Sequence, residues 1–165
     1  MAKSSGTTRA SSKGSPRGLA APANASLRAI RSQIDSAIAA GGADWGNTEL
    51  VRLRIREEEA MNNELDSLAG KNGWQKGFNN IGKSFGEDSP VMYMDVSVSN
   101  YRSGIENGPY YQARVGGSKT SSNRNFTDEI NALWNNDKRF KTAREAIRWA
   151  ESQANRINKK YAGKI

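Results

Sequence analysis

The polar and apolar positions divide this chain into stretches with different periods. Leu27, Ile30, Ile34 and Ile38 recur at spacings of three and four, one face of a helix. Ser26 is a suitable N-cap in front of that stripe, and Gly41-Gly42 ends it. A second stripe, Leu50, Leu53, Ala60, Met61, Leu65 and Leu68, begins after Asn47-Thr48 and stops at Gly70. Two amphipathic helices on a short Gly-rich link predict an antiparallel hairpin over 25–70. After Pro90 the period changes to two. Met92, Met94, Val96 and Val98 form one apolar face of a strand, and Tyr111, Ala113 and Val115 form that of a second.

Between these blocks the signals conflict. Trp74, Phe78, Ile81 and Phe85 have helical spacing, but Gly73, Gly77, Gly82 and Gly86 oppose a helix, so 71–90 reads as a Gly-rich, aromatic linker with at most one short helix. Gly116-Gly117 predicts a reversal into a polar third strand over 119–125. Two helices close the chain. The first follows Thr127 and carries Ile130, Leu133 and Trp134. Thr142 and Glu145 have the spacing of a capping box for the second, whose stripe is Ile147, Ala150, Ala154, Ile157 and Tyr161. Residues 1–24 are mostly Ser, Thr, Gly, Ala, Pro, Lys and Arg with a single leucine, too little apolar surface to offset ordering, and are expected to be a disordered arm. The fold class expected is α+β: this arm, the hairpin, the linker, and a domain over 91–165 with an antiparallel sheet of two to three strands packed by the C-terminal helices.

Composition then removes whole chemistries. The chain has 165 residues with no cysteine and no histidine. Disulfides, thiolate nucleophiles, Ser-His-Asp triads and His-ligated zinc are therefore excluded. Catalysis would rest on carboxylates, lysine, arginine, tyrosine or a carboxylate-held Mg²⁺. Asp95 with Glu106 or Asp128 is the candidate Mg²⁺ set, and Arg102, Arg114, Tyr110 and Tyr111 suit a histidine-free nuclease. A surface carboxylate and a solvated face explain both more simply. Gly77-Phe78-Asn79-Asn80-Ile81-Gly82-Lys83-Ser84 satisfies the phosphate-loop pattern, yet no buried strand precedes it and no helix-length segment follows, so it reads as a chance match. The expectation is a non-enzyme without cofactor, metal or small-molecule substrate. The chain has no run of about 20 apolar residues and no apolar leader, which predicts no membrane partner and a cytoplasmic location or a particle assembled there.

Charge supplies the positive signal. The net charge is +8, divided as +6 over 1–34, −5 over 35–137 and +7 over 138–165. Cationic ends on an acidic middle suit a polyanionic partner. The residues singled out for nucleic-acid contact are Arg9, Lys13 and Arg17 in the arm, Tyr110, Gln112, Arg114, Lys119 and Arg124 around the sheet, and Arg144, Arg148, Lys159 and Lys160 on the last helix. The Arg52, Arg54, Arg56 and Glu57, Glu58, Glu59 run reads as a solvated helix face.

The strand Tyr111-Gln112-Ala113-Arg114-Val115, a basic turn, and Phe140 to Ala150 entering a packing helix resemble the small arm-type DNA-binding domain of phage-family integrases. The likeness is confined to the C-terminal third, and an additional helical stretch over 128–136 departs from it. It implies that the sheet enters the DNA major groove, with Gln112, Arg114, Lys119 and Arg124 nearest the nucleic acid. The helix–three strands–helix outline is similar to the double-stranded RNA-binding fold as well. The function expected is thus a non-enzymatic nucleic-acid-associated protein of phage or mobile-element type. The alternative is a structural, assembly or adaptor protein binding an acidic protein partner.

Overall fold

A computed structural model describes residues 20–100, 104–118 and 120–165, with side chains from 26 onward. The expected arm therefore lies almost wholly outside the described residues. Helix α1 (Ala20–Gly41) starts before the expected cap at Ser26 and holds Pro22 in its first turn, where a missing N–H costs no helical bond. Helix α2 (Thr48–Leu68) returns against it. Asn47 closes both: its Oδ1 accepts from the Leu50 N–H (3.1 Å), and its Nδ2 donates to the carbonyls of Ala37 (2.9 Å) and Gly42 (2.8 Å).

A four-stranded antiparallel meander follows: β1 (Gln75–Lys76), β2 (Asn80–Ser84), β3 (Val91–Ser99) and β4 (Tyr110–Gly117), adjacent in that order. This corrects the expectation of two to three strands. The missing pair comes from the supposed linker, whose residues 80–84 lie against 93–97 of β3. The supposed third strand does not form: 120–123 is irregular, and α3 (Arg124–Trp134) starts there with Asn123, not Thr127, as its cap. The inner face of β3 also differs. An extra residue between Val91 and Tyr93 makes a β-bulge, so Val91, Met94 and Val96 are buried while Met92 is half-buried.

The last helix, α4 (Ala143–Tyr161), begins with the expected capping box. It buries Ala143, Ala146, Ala150 and Ala154 beside Ile157 and Tyr161, and these short side chains bring it close to β3 and β4. Tyr111, Ala113 and Val115 meet it from the sheet and are fully buried. The free edge of β4 is covered by the chain before α4. Phe140 exchanges two main-chain bonds with Tyr111 (2.8 and 3.0 Å), and Asn136 Nδ2 donates to the Ala113 carbonyl (2.8 Å). An edge closed in this way offers no template for a further strand.

The helical hairpin is part of the same body, docked through buried charge. Arg54 is 6% exposed and Glu57 3% exposed. The Arg54 guanidinium donates to Glu57 (2.8 Å) and to the carbonyls of Ile105 (2.9 Å) and Glu106 (2.8 Å), while Arg31 reaches the other Glu57 oxygen (3.1 Å). Gly108 (φ 69°) makes room, since a Cβ there would collide with the guanidinium. Nearby, the buried Tyr111 hydroxyl donates to Glu64 (2.5 Å), which pushes its pKa upward together with burial, the larger cause. The expectation of a solvated face is therefore wrong for Arg54 and Glu57, which form the joint between hairpin and sheet.

Candidate functional site

The geometry of α4 sorts its residues cleanly. With the alanine stripe inward, Arg144, Arg148, Ser152, Asn155 and Lys159 stand exposed along the opposite side. Arg144 and Lys159 are separated by about 22 Å at 1.5 Å per residue. Among the described residues Arg144, Arg148 and Lys159 have no ion-pair partner. Their cationic neighbours Arg156 and Lys160 do: both bind Glu129 of α3, at 2.7 and 2.9 Å. The Tyr161 hydroxyl donates to the same carboxylate, and these three donors, with Tyr161 foremost, lower the Glu129 pKa to about 2. Two of the five cations thus already share one carboxylate.

The start of α4 lies near further positive charge. Lys138, Arg139 and Lys141 are exposed in the segment leading into the helix, and Arg139 stacks over the Tyr110 ring at 4.5 Å. Glu145, the nearest acid on α4, is occupied by the capping box with Thr142.

The other side of the sheet has a different character. Because Tyr111, Ala113 and Val115 face α4, Tyr110, Gln112 and Arg114 point to the opposite face. There Arg114 lies directly across from Asp95 and stacks on the Trp134 ring at 5.4 Å. Asn80 Nδ2 sits 3.4 Å from the Tyr93 hydroxyl and 3.5 Å from Asp95 Oδ2. Asp95 Oδ1 is buried without a hydrogen-bond partner. Burial raises the Asp95 pKa, and the opposing pull of Arg114 and Asn80 does not cancel it. Tyr93 is raised too, by burial first and by the Asp95 charge second. This face is a half-buried polar lattice with balanced charge.

The residues expected to act together therefore divide. Arg9, Lys13, Arg17 and Lys119 lie outside the described residues. Arg144, Arg148 and Lys159 are exposed and unpaired, and Arg124 is exposed at the start of α3. Lys160 is exposed but paired, and Tyr110, Gln112 and Arg114 lie across the sheet from α4. Sequence reasoning did not single out Lys138, Arg139 and Lys141, although their charge was in plain view; that they adjoin the α4 N-terminus is simple chain continuity.

Neither alternative chemistry acquires a geometry. Among the described residues no three carboxylates gather around a common point, and Asp95 has Asn80, Tyr93 and Arg114 for neighbours. The phosphate-loop pattern forms a hairpin turn and strand β2, so its amides engage in sheet pairing and open no helix. No helix is long and apolar enough to cross a membrane, among the described residues. Comparison with protein-family models, curated proteins and solved structures gave no match.

Proposed function

We propose that this protein is a non-enzymatic, nucleic-acid-associated protein that lays the outer face of α4 along a phosphate backbone. The observation carrying this reading is the line Arg144, Arg148 and Lys159, three exposed cations with no carboxylate partner among the described residues, with uncharged Ser152 and Asn155 beside them. Unpaired surface cations cost little to present and gain most when they displace counterions from a polyanion. Lys138, Arg139 and Lys141 extend the same positive surface at the helix N-terminus, where the helix dipole also favours an anion. The sheet face has a smaller part, since Arg114 is balanced by Asp95.

The test is a salt titration of binding to DNA and to RNA, comparing the natural chain with Arg144→Gln/Arg148→Gln/Lys159→Gln. Loss of three phosphate contacts should reduce the slope of log K against log salt by about 2–3. An unchanged slope, or no retardation of either nucleic acid at low salt, overturns the proposal. Stoichiometric co-purification with one acidic protein, free of nucleic acid, would replace it with the adaptor reading.

A further inference from the structure

The β1–β2 hairpin carries an aromatic side chain that the fold does not use. Gly77 and Asn80 close the turn through a main-chain bond of 2.8 Å, leaving Phe78 and Asn79 as its two tip residues. Asn79 adopts φ 63°, a conformation asparagine tolerates, whereas nothing in the turn geometry requires an aromatic beside it. Phe78 is 93% exposed. Trp74, Tyr111, Phe126 and Tyr161 are buried, and Phe85, Trp134, Phe140 and Trp149 are at least half-covered. A phenylalanine left in water forgoes about 1.5–3 kcal/mol of burial.

The segment that carries that ring is basic and amide-rich. Residues 71–84 contain Lys71, Lys76 and Lys83 and no carboxylate. Lys76 reaches Asp66 at 3.2 Å, but both groups are well exposed and the pair is readily exchanged. The tip also lies at the basic end of the molecule. Asn80 pairs with Ser97, the following residue Val98 pairs with Tyr111, and Tyr111 bridges Phe140 just before α4. Hence Phe78, Lys138, Arg139, Lys141 and Arg144 share one end of the sheet. They are separated by about three inter-strand spacings, roughly 15 Å, within the span of one bound nucleic acid.

We propose that Phe78 is a base-stacking residue: its ring takes the face of an unstacked nucleobase in a single-stranded segment, while the basic end near α4 holds the neighbouring phosphates. The proposal rests on the nucleic-acid reading above and names the part of the ligand that this hairpin recognises. Every base has a π-face, so such a contact adds affinity with little sequence preference. The positive, carboxylate-free hairpin favours a nucleic acid over an uncharged apolar groove on another protein.

The experiment uses the full chain and a fluorescently labelled single-stranded DNA oligonucleotide, with 2-aminopurine as the stacking reporter. Phe78→Ala should weaken binding about 5- to 100-fold, abolish the stacking quench and leave the salt slope unchanged. Phe78→Trp should restore binding. The exposed position predicts unchanged thermal unfolding for both variants, which is measured alongside. Equal affinity and quench for Phe78→Ala and the natural chain overturn this inference while leaving the phosphate reading intact. A natural chain that binds no oligonucleotide sinks both. A duplex bound more tightly than the single strand, or Phe78-dependent binding to anionic phospholipid vesicles in place of DNA, also overturns the assignment.

Discussion

Arginine is used in two opposite ways at the hairpin–sheet junction and on the outer face of α4. At the junction Arg54 is withdrawn from water, and its guanidinium is satisfied by Glu57 and two main-chain carbonyls. On α4, Arg144 and Arg148 keep their hydration and have no ion-pair partner among the described residues. A buried charge must be fully paired to be tolerated, so it becomes a piece of architecture. An exposed, unpaired charge adds little to stability and leaves its interaction for another molecule. The count of basic residues is therefore a poor guide to function in this chain; what each cation already binds is a better one.

The sharpest way to break the contrast is Arg54→Ala. It strands Glu57 in the interior with Arg31 as its remaining ionic partner and leaves two carbonyls unsatisfied. The expected loss is about 3–5 kcal/mol in urea unfolding, a large share of a typical domain's stability. A loss below about 1 kcal/mol would mean the junction is far wetter than its geometry implies. By contrast, the α4 triple variant should unfold within about 0.5 kcal/mol per site of the natural chain, so any loss of nucleic-acid binding is not a folding defect.

Asp95 tests an intermediate case, a half-buried acid with an orphan oxygen. Its folded pKa lies above the reference value of 3.8, so the unfolded chain releases this proton first as pH rises. Ionisation of Asp95 therefore subtracts stability from about pH 3.8 upward and has no effect well below it. Asp95→Asn should raise stability by about 1 kcal/mol at pH 7, a gain that fades toward pH 3 in paired urea titrations. A destabilised variant at pH 7 would show that the attraction of the cross-strand Arg114 charge outweighs the burial of the carboxylate.

The smallest expected effect is at Glu129. Its pKa is lowered from 4.5 to about 2, so its contribution is complete above 4.5 and disappears as pH falls toward 2. Because the cluster is at the surface, Glu129→Gln should cost about 0.5 kcal/mol at neutral pH. The same change frees Arg156 and Lys160, so nucleic-acid affinity should rise at low salt. If affinity is unchanged, the cationic face ends at Lys159.

Much of the outline was readable along the chain because its causes are local. Asn47, Gly70 and the Thr142–Glu145 box mark helix ends through bonds to residues a few positions away. Alternation placed Tyr111, Ala113 and Val115 inward, and helical spacing placed Ala150, Ala154, Ile157 and Tyr161 inward on α4, whereas Ile147 of the expected stripe is half-buried and Ala143 and Ala146 take the inward positions. That spacing left Arg144, Arg148 and Lys159 outward. The hairpin at 75–84 escaped for a physical reason: Trp74, Phe78, Ile81 and Phe85 imitate a helix, and strand β2 exists because β3 pairs with it along one side.

The sequence by itself determined the α+β class, the three long helices before and after the sheet strands, and the excess of positive charge near the C-terminus, since each follows from composition or from neighbours in the chain. Tertiary structure decided the fourth strand, the bulge at Val91, the burial of Arg54 and Glu57, and which cations remain free. Those outcomes depend on residues tens of positions apart meeting in space, as Arg54 meets Ile105 and Glu129 meets Arg156. The energy of such a meeting is set by distance and dielectric, quantities that a linear order of residues does not contain.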